Sequence, residues 1–159
     1  MNPRKARHLL SRGSATLVAI EGASVPKISI LLADDNSAIL RHVHDLLKAN
    51  SRYKVIAALS NGAAVLREYR RLSPDVIVLD ISMELLSGID VAQHLRDRGC
   101  HSKIVFLTVH EDSDYVIAAM GAGGSAYVVK SRLSTDLIPA IKAVLSHKMF
   151  VSPSLLYTV

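Results

Sequence analysis

Between Lys27 and Leu145 the chain alternates five times between a short apolar run and a segment whose apolar residues recur at helical spacing. No other feature of the sequence limits its fold so tightly. Ile28 to Ala33 is the first run, and Ile39, Leu40, Val43, Leu46 and Leu47 then mark one face of a helix. Val55 to Leu59 is the second run, followed by the Ser60-Asn61-Gly62 turn and a helix to about Leu72 that Ser73-Pro74 stops. Val76 to Leu79 is the third. Gly88 then opens a helix carrying Ile89, Val91, Ala92 and Leu95, and Gly99 ends it. Ile104 to Leu107 is the fourth, before a helix capped by Asp112 or Ser113 and ended at Gly121. Ala126 to Val129 is the fifth, before a last helix with Ser134 as cap and Leu137, Ile138, Ile141, Val144 and Leu145 as its stripe. Apolar, β-branched strands joined by helical crossovers predict an α/β fold: a doubly wound parallel sheet of five strands with helices on both faces.

In such a sheet, sites form at the carboxyl ends of the strands. The first strand ends in Asp34-Asp35, the third in Asp80, the fourth in Thr108 and the fifth in Lys130. The second ends in a turn. Neighbouring strands stand about 5 Å apart. If the first and third are neighbours, three carboxylates converge and repel unless a cation intervenes. An all-oxygen cluster suits a hard cation such as Mg²⁺, which commonly keeps waters that a phosphate can displace. The pattern points to phosphoryl chemistry on a carboxylate. Asp80 would be the nucleophile, Lys130 would pair with a phosphoryl oxygen, and the Thr108 hydroxyl would donate to another.

These residues stand in stretches that resemble the response-regulator receiver domains of two-component signalling. The stretches are Ile30 to Asn36, Val76 to Met83, Gly88, Val105 to Thr108 and Gly124 to Lys130, within about residues 28–148. The wording around Thr108 to Asp112 and Tyr127 to Ser131 is most similar to the receivers of LuxR-type helix-turn-helix regulators. The resemblance implies a flavodoxin-like strand order, 2-1-3-4-5. It implies Asp80 as the phosphorylated residue, Asp34, Asp35, Asp80 and the Ser82 main-chain carbonyl as Mg²⁺ ligands, and Lys130 as the phosphate-sensing lysine. It also implies Thr108 and Tyr127 as a coupled switch pair, with Tyr127 moving inward on phosphorylation. The implied partners are a sensor histidine kinase or a histidine phosphotransfer protein, with a second copy of the chain as a further candidate. The implied setting is cytoplasmic, and the implied role is a phosphorylated signalling domain rather than an enzyme.

Three positions depart from the family's pattern. Met83-Glu84 stands where Met-Pro is common, Lys130-Ser131 where Lys-Pro is common, and Val109, larger than usual, would narrow phosphoryl access. Two rival functions draw on the same residues. A Mg²⁺-dependent aspartyl-phosphate phosphohydrolase would want a second aspartate at Ser82. A receiver-like module indifferent to phosphate would not need the complete acidic set. Other motifs are bland. Gly121 to Ala126 fits a dinucleotide fingerprint but follows a helix and precedes a strand, so it reads as a helix end and turn. His42 and His44 point to different helix faces. His94, His101, His110 and His147 show no ligand spacing and are expected at the surface, and Cys100 reads as a loop thiol.

The formal charge of +5 resides mostly in the first 27 residues, where Arg4, Lys5, Arg7, Arg12 and Lys27 face Glu21 alone. The rest holds 14 basic and 13 acidic side chains, which lends no support to nucleic-acid binding by the folded part. Residues 1–26 read as a disordered basic extension, 27–148 as the receiver, and 149–159 as a tail or linker remnant too short for a DNA-binding domain. Direct DNA binding by this chain is therefore not expected, and the chain reads as either a stand-alone receiver or a truncated transcriptional regulator whose output domain is missing. One cysteine excludes an intrachain disulfide, and no apolar run approaches the ~18 residues of a membrane span.

Overall fold

The computed structural model describes residues 25–157, and its elements follow the alternation of the sequence. Strand β1 spans Ile28–Ala33, helix α1 Ser37–Lys48, β2 Tyr53–Leu59, α2 Gly62–Leu72 and β3 Val76–Leu79. Then come α3 Gly88–Asp97, β4 Lys103–Thr108, α4 Ser113–Gly121, β5 Ala126–Val129, α5 Leu133–Leu145 and β6 Phe150–Val151. A single 3-10 turn, Lys130–Arg132, leads into α5, and another covers Pro153–Tyr157. The extension expected over residues 1–26 lies, apart from Val25 and Pro26, outside the described residues.

Local chemistry sets the helix starts. Asn36 Oδ1 accepts from the N–H groups of Ala38 and Ile39, Asn61 Oδ1 from Ala64, and Ser87 Oγ from Asp90. Each bond satisfies a donor that the first helical turn leaves open. Asp112 holds the cap position of α4 without such a bond. Ser134 does not cap α5, contrary to expectation. The 3-10 turn carries the chain into the helix two residues earlier, with Arg132 at the cap position, and Ser134 Oγ lies instead 3.3 Å from His42 Nε2 on α1.

All strand pairs are parallel, in the order β2-β1-β3-β4-β5-β6. Alternate residues of each strand serve opposite faces. Leu31, Ala33, Ile77, Leu79, Phe106, Tyr127 and Val129 pack in one buried cluster with α2, α3 and α4 residues such as Val65, Val91 and Ala119. Ile30, Leu32, Val76, Val78, Val105, Leu107 and Val128 pack in the other with α1 and α5 residues such as Val43, Leu47, Leu137 and Ile141. Burying a side chain of this kind contributes about 1.5–3 kcal/mol each, so the two faces together fix the register.

The five expected strands stand in the order 2-1-3-4-5, and the chain adds a sixth. Beyond α5, Phe150 and Val151 pair with Ala126 and Tyr127 on the outer edge of β5. The Ser152 N–H donates to the Tyr127 carbonyl at 2.8 Å, and Ser152 Oγ accepts from the Val129 N–H at 3.1 Å. Leu155 is buried in the same cluster as Tyr127 and Val129. The segment expected as a tail thus covers the edge of the sheet.

Candidate functional site

Register places the site. Ala33 is level with Leu79 across β1 and β3, so Asp34 and Asp80 leave the sheet side by side. Thr108 is level with Val129 across β4 and β5, so Lys130 follows one residue beyond. The order of the strands therefore gathers residues nearly a hundred positions apart at one end of the sheet. Asp34, Asp35 and Asp80 each offer a carboxylate oxygen, and these lie within 4.8 Å of one another. Asp34 and Asp80 are buried, while Asp35 is exposed.

Lys130 Nζ stands 2.8 Å from Asp34 Oδ2 and 3.4 Å from Asp80 Oδ1. Asp34 Oδ1 accepts from the Asn36 N–H at 2.8 Å, and Asp80 Oδ1 accepts from the Ser82 N–H at 3.3 Å. These partners do not offset the burial at Asp80. Desolvation first, and the Asp34 charge second, push its carboxyl from 3.8 to about 6, against the pull of Lys130 and the Ser82 N–H. The pocket is therefore short of positive charge. Asp34 Oδ2 is buried, faces the ammonium and accepts no hydrogen bond of good geometry. Three converging carboxylates fit a hard divalent cation.

The loop after β3 is shaped by one close approach. A Cβ on Gly88 would stand 2.0 Å from the Asp80 carbonyl oxygen and 2.8 Å from its carbon, so only glycine fits there. The Gly88 N–H donates to the Ile81 carbonyl at 2.8 Å, closing the loop under Asp80. Glu84 and Leu85 lie further out on this loop, beside Asp35 in a cleft of about 320 Å³. Leu85 is fully exposed and has φ of 68°, a conformation that favours glycine.

Thr108 is fully buried at the end of β4, and its Oγ1 accepts from the His110 N–H at 3.1 Å. The Tyr127 ring is also fully buried, and its hydroxyl donates to the His110 carbonyl at 2.7 Å. Burial pushes this phenol up to about 12, against an opposing hydrogen bond with Thr108. The expected pair is thus in contact, with the ring already inside.

Two expectations at the mouth of the site change. Val109, expected to narrow the site, stands out in solvent. His110, expected at the surface, is half-buried, and its Nε2 lies 2.5 Å from Ser82 Oγ. Sequence spacing cannot reveal that bond, because it joins two loops through side chains. Position two residues past Thr108, mirroring Ser82 two past Asp80, was its only sign.

A family model described as the response regulator receiver domain matches residues 30–142. The chain is 30% identical over 129 residues to a nitrate/nitrite response regulator protein homolog of Haemophilus influenzae, covering 81% of this chain and 62% of the relative. It is 33% identical over 130 residues to the uncharacterized transcriptional regulatory protein YvfU of Bacillus subtilis, covering 82% and 65%. The chain thus spans less than two thirds of the length of these relatives. The crystal structure of a LuxR-family two-component response regulator from Aurantimonas sp. SI85-9A1 superposes with a TM-score of 0.79 at 29% identity, covering 82% of this chain and 94% of that one.

Proposed function

The chain belongs to the response regulator receiver domain family, and from that premise we propose that Asp80 is its phospho-acceptor in a two-component relay. The observation that carries this reading is the Lys130 ammonium set between Asp34 and Asp80, 2.8 and 3.4 Å away, inside a cluster of three carboxylates. An Asp80 oxygen attacks the phosphorus of a phosphohistidine on a sensor kinase or a histidine phosphotransfer protein. The new O–P bond forms as the P–N bond breaks, and the departing imidazole takes a proton from solvent. Asp34, Asp35 and Asp80, with the Ser82 carbonyl, would hold Mg²⁺, which supplies charge neutralisation for the phosphoryl oxygens.

Lys130 then turns from the carboxylates to a phosphoryl oxygen, and the Thr108 hydroxyl donates to another. Because Thr108 Oγ1 also accepts from the His110 N–H, the loop after β4 feels the change. The outcome is a switch in protein contacts over α4, β5 and α5, driven by a new local charge. The receiver unit is residues 27–148, and we extend it through the docked segment to Leu155. Among the described residues, no helix is long and apolar enough to cross a membrane. A cytoplasmic setting is part of the family-based reading.

Intact mass after incubation with acetyl phosphate and Mg²⁺ tests the reading. One phosphoryl group should add to the wild type and none to Asp80→Asn. No adduct with any small donor, or an adduct that persists in Asp80→Asn, would overturn it.

A further inference from the structure

On one face of the sheet the helices stop before the strands do. Helices α2, α3 and α4 pack there, while β6 and the 3-10 turn Pro153–Tyr157 carry the chain on past α4. The step leaves a groove of about 560 Å³. Val116 and Ile117 of α4 form one wall, and Val151 and Leu156 of the last segment belong to the other. Ile117 is 69% exposed and Leu156 63%. One exposed apolar side chain is ordinary on a protein surface, but two that flank the same groove mark a contact surface.

Glu111 and Asp112 line the groove at the amino end of α4, and Asp114 follows in the first turn. All three are exposed, and none forms an ion pair with a Lys, Arg or His among the described residues. The chain itself carries a segment of complementary chemistry. Residues 1–24 lie outside the described residues, and in them Arg4, Lys5, Arg7 and Arg12 surround Leu9-Leu10. Reach decides which part of that segment fits. Val151 is level with Ala33 across four strand spacings, so it stands about 25 Å from Ile28, the first residue of β1. The apolar run Leu17 to Ile20 ends eight residues before Ile28, a tether of at most about 29 Å with no slack to pass round the helices. Leu10 stands eighteen residues before Ile28, and its tether spans up to about 60 Å.

We propose that the groove between α4 and the last segment is the docking site of the chain's own residues 4–12. Leu9 and Leu10 supply the apolar cover, and the flanking cations meet Glu111 and Asp112. This inference goes beyond the phospho-acceptor reading of Asp80 and does not depend on it. A tether holds the segment at a high local concentration, so two leucines and a few rim charges suffice where a free peptide would bind weakly. Rim charges are screened by salt, so docking loosens as ionic strength rises.

Disulfide trapping in the full chain tests the docking. Cys100→Ser removes the native thiol. Ser11→Cys, which keeps both leucines, is then combined with Ser113→Cys in the groove, or with His44→Cys on α1 across the sheet. Ser113 and His44 are both exposed, so the core is left intact, and an unchanged melting profile checks this. Under mild oxidation, followed by non-reducing gel and intact mass, the Ser11→Cys/Ser113→Cys chain should close on itself about tenfold faster than the His44→Cys control. Adding Glu111→Lys with Asp112→Lys, or raising salt to about 0.5 M, should cut that preference to about threefold or less. Leu9→Ser with Leu10→Ser should remove it. Equal closure in both pairs would overturn the proposal, as would a preference that survives loss of the two leucines. A preference indifferent to charge reversal and salt would overturn the charge match. Disulfides formed only between molecules would overturn docking within one chain and assign the groove to a second copy.

Discussion

Asp80 is held in a form that its surroundings do not favour. Its carboxyl is raised to about 6 in the folded chain, above its ordinary 3.8. A raised acid stabilises the fold fully below the unfolded value and loses that contribution as pH rises through the folded one. Without divalent metal, Asp80→Asn should therefore be more stable than the wild type at pH 8, by up to about 3 kcal/mol, with the gain fading below pH 5. Urea unfolding in chelator at the two pH values checks this; a less stable variant at pH 8 would mean that Lys130 outweighs burial. Gly88→Ala would drive a methyl into the Asp80 carbonyl and should cost about 3 kcal/mol, with slower phosphoryl uptake. Leu85→Gly should do the reverse. Its side chain packs on nothing, so relief of the left-handed strain, about 1–2 kcal/mol, less the extra freedom of unfolded glycine, leaves a gain of about 0.5–1 kcal/mol in thermal or chemical melts. At this scale the sequence was informative where a polar residue broke an apolar strand. Asp34, Asp80, Thr108 and Lys130 are legible for that reason. His110 and the Leu85 conformation are not, because a bond between loops and a positive φ leave no periodic trace.

The elements were legible wherever burial imposed a period. Both faces of β1, β3, β4 and β5 are covered, which makes them near-continuous apolar runs, and the helices carry their stripes openly. Strand β6 escaped because two residues have no period and Ser152-Pro153 reads as loop. What holds it is tertiary: the edge of β5 offers unpaired main-chain groups, and Ser152 supplies a side-chain acceptor to one of them. Ser152→Ala would leave the buried Val129 N–H without its acceptor and should cost about 1–3 kcal/mol. Leu155→Ala should cost about 2–4 kcal/mol through the cavity it leaves. Protease resistance of the segment and equilibrium melts report both; a Leu155→Ala variant as stable as the wild type would mean the segment is not docked in solution. The last helix teaches the same lesson on a smaller scale. Ser134 has the residue type of a cap, but the 3-10 turn Lys130–Arg132 starts the helix before it.

For the whole molecule, the parallel sheet is what turns scattered residues into a site. Every strand points the same way, so every strand end arrives on one side, and a slip of one residue would both bury the wrong face and scatter the carboxylates. Stability and site occupancy should consequently be linked. Mg²⁺ at a hundredfold over its dissociation constant should stabilise the wild type by about 2.7 kcal/mol, and Asp34→Asn or Asp35→Asn should lose most of that gain. Melts across a magnesium series check it, and an equal gain in the variants would place the ion elsewhere. The Tyr127 ring, sealed in the core with its hydroxyl on the His110 carbonyl, bears on how such changes are best observed. The peptide it holds belongs to the loop after β4, and Thr108 holds the same residue from the other side. On the phospho-acceptor reading, a spectroscopic label at Glu111 would sit beside that shared peptide and report whether phosphorylation of Asp80 displaces it.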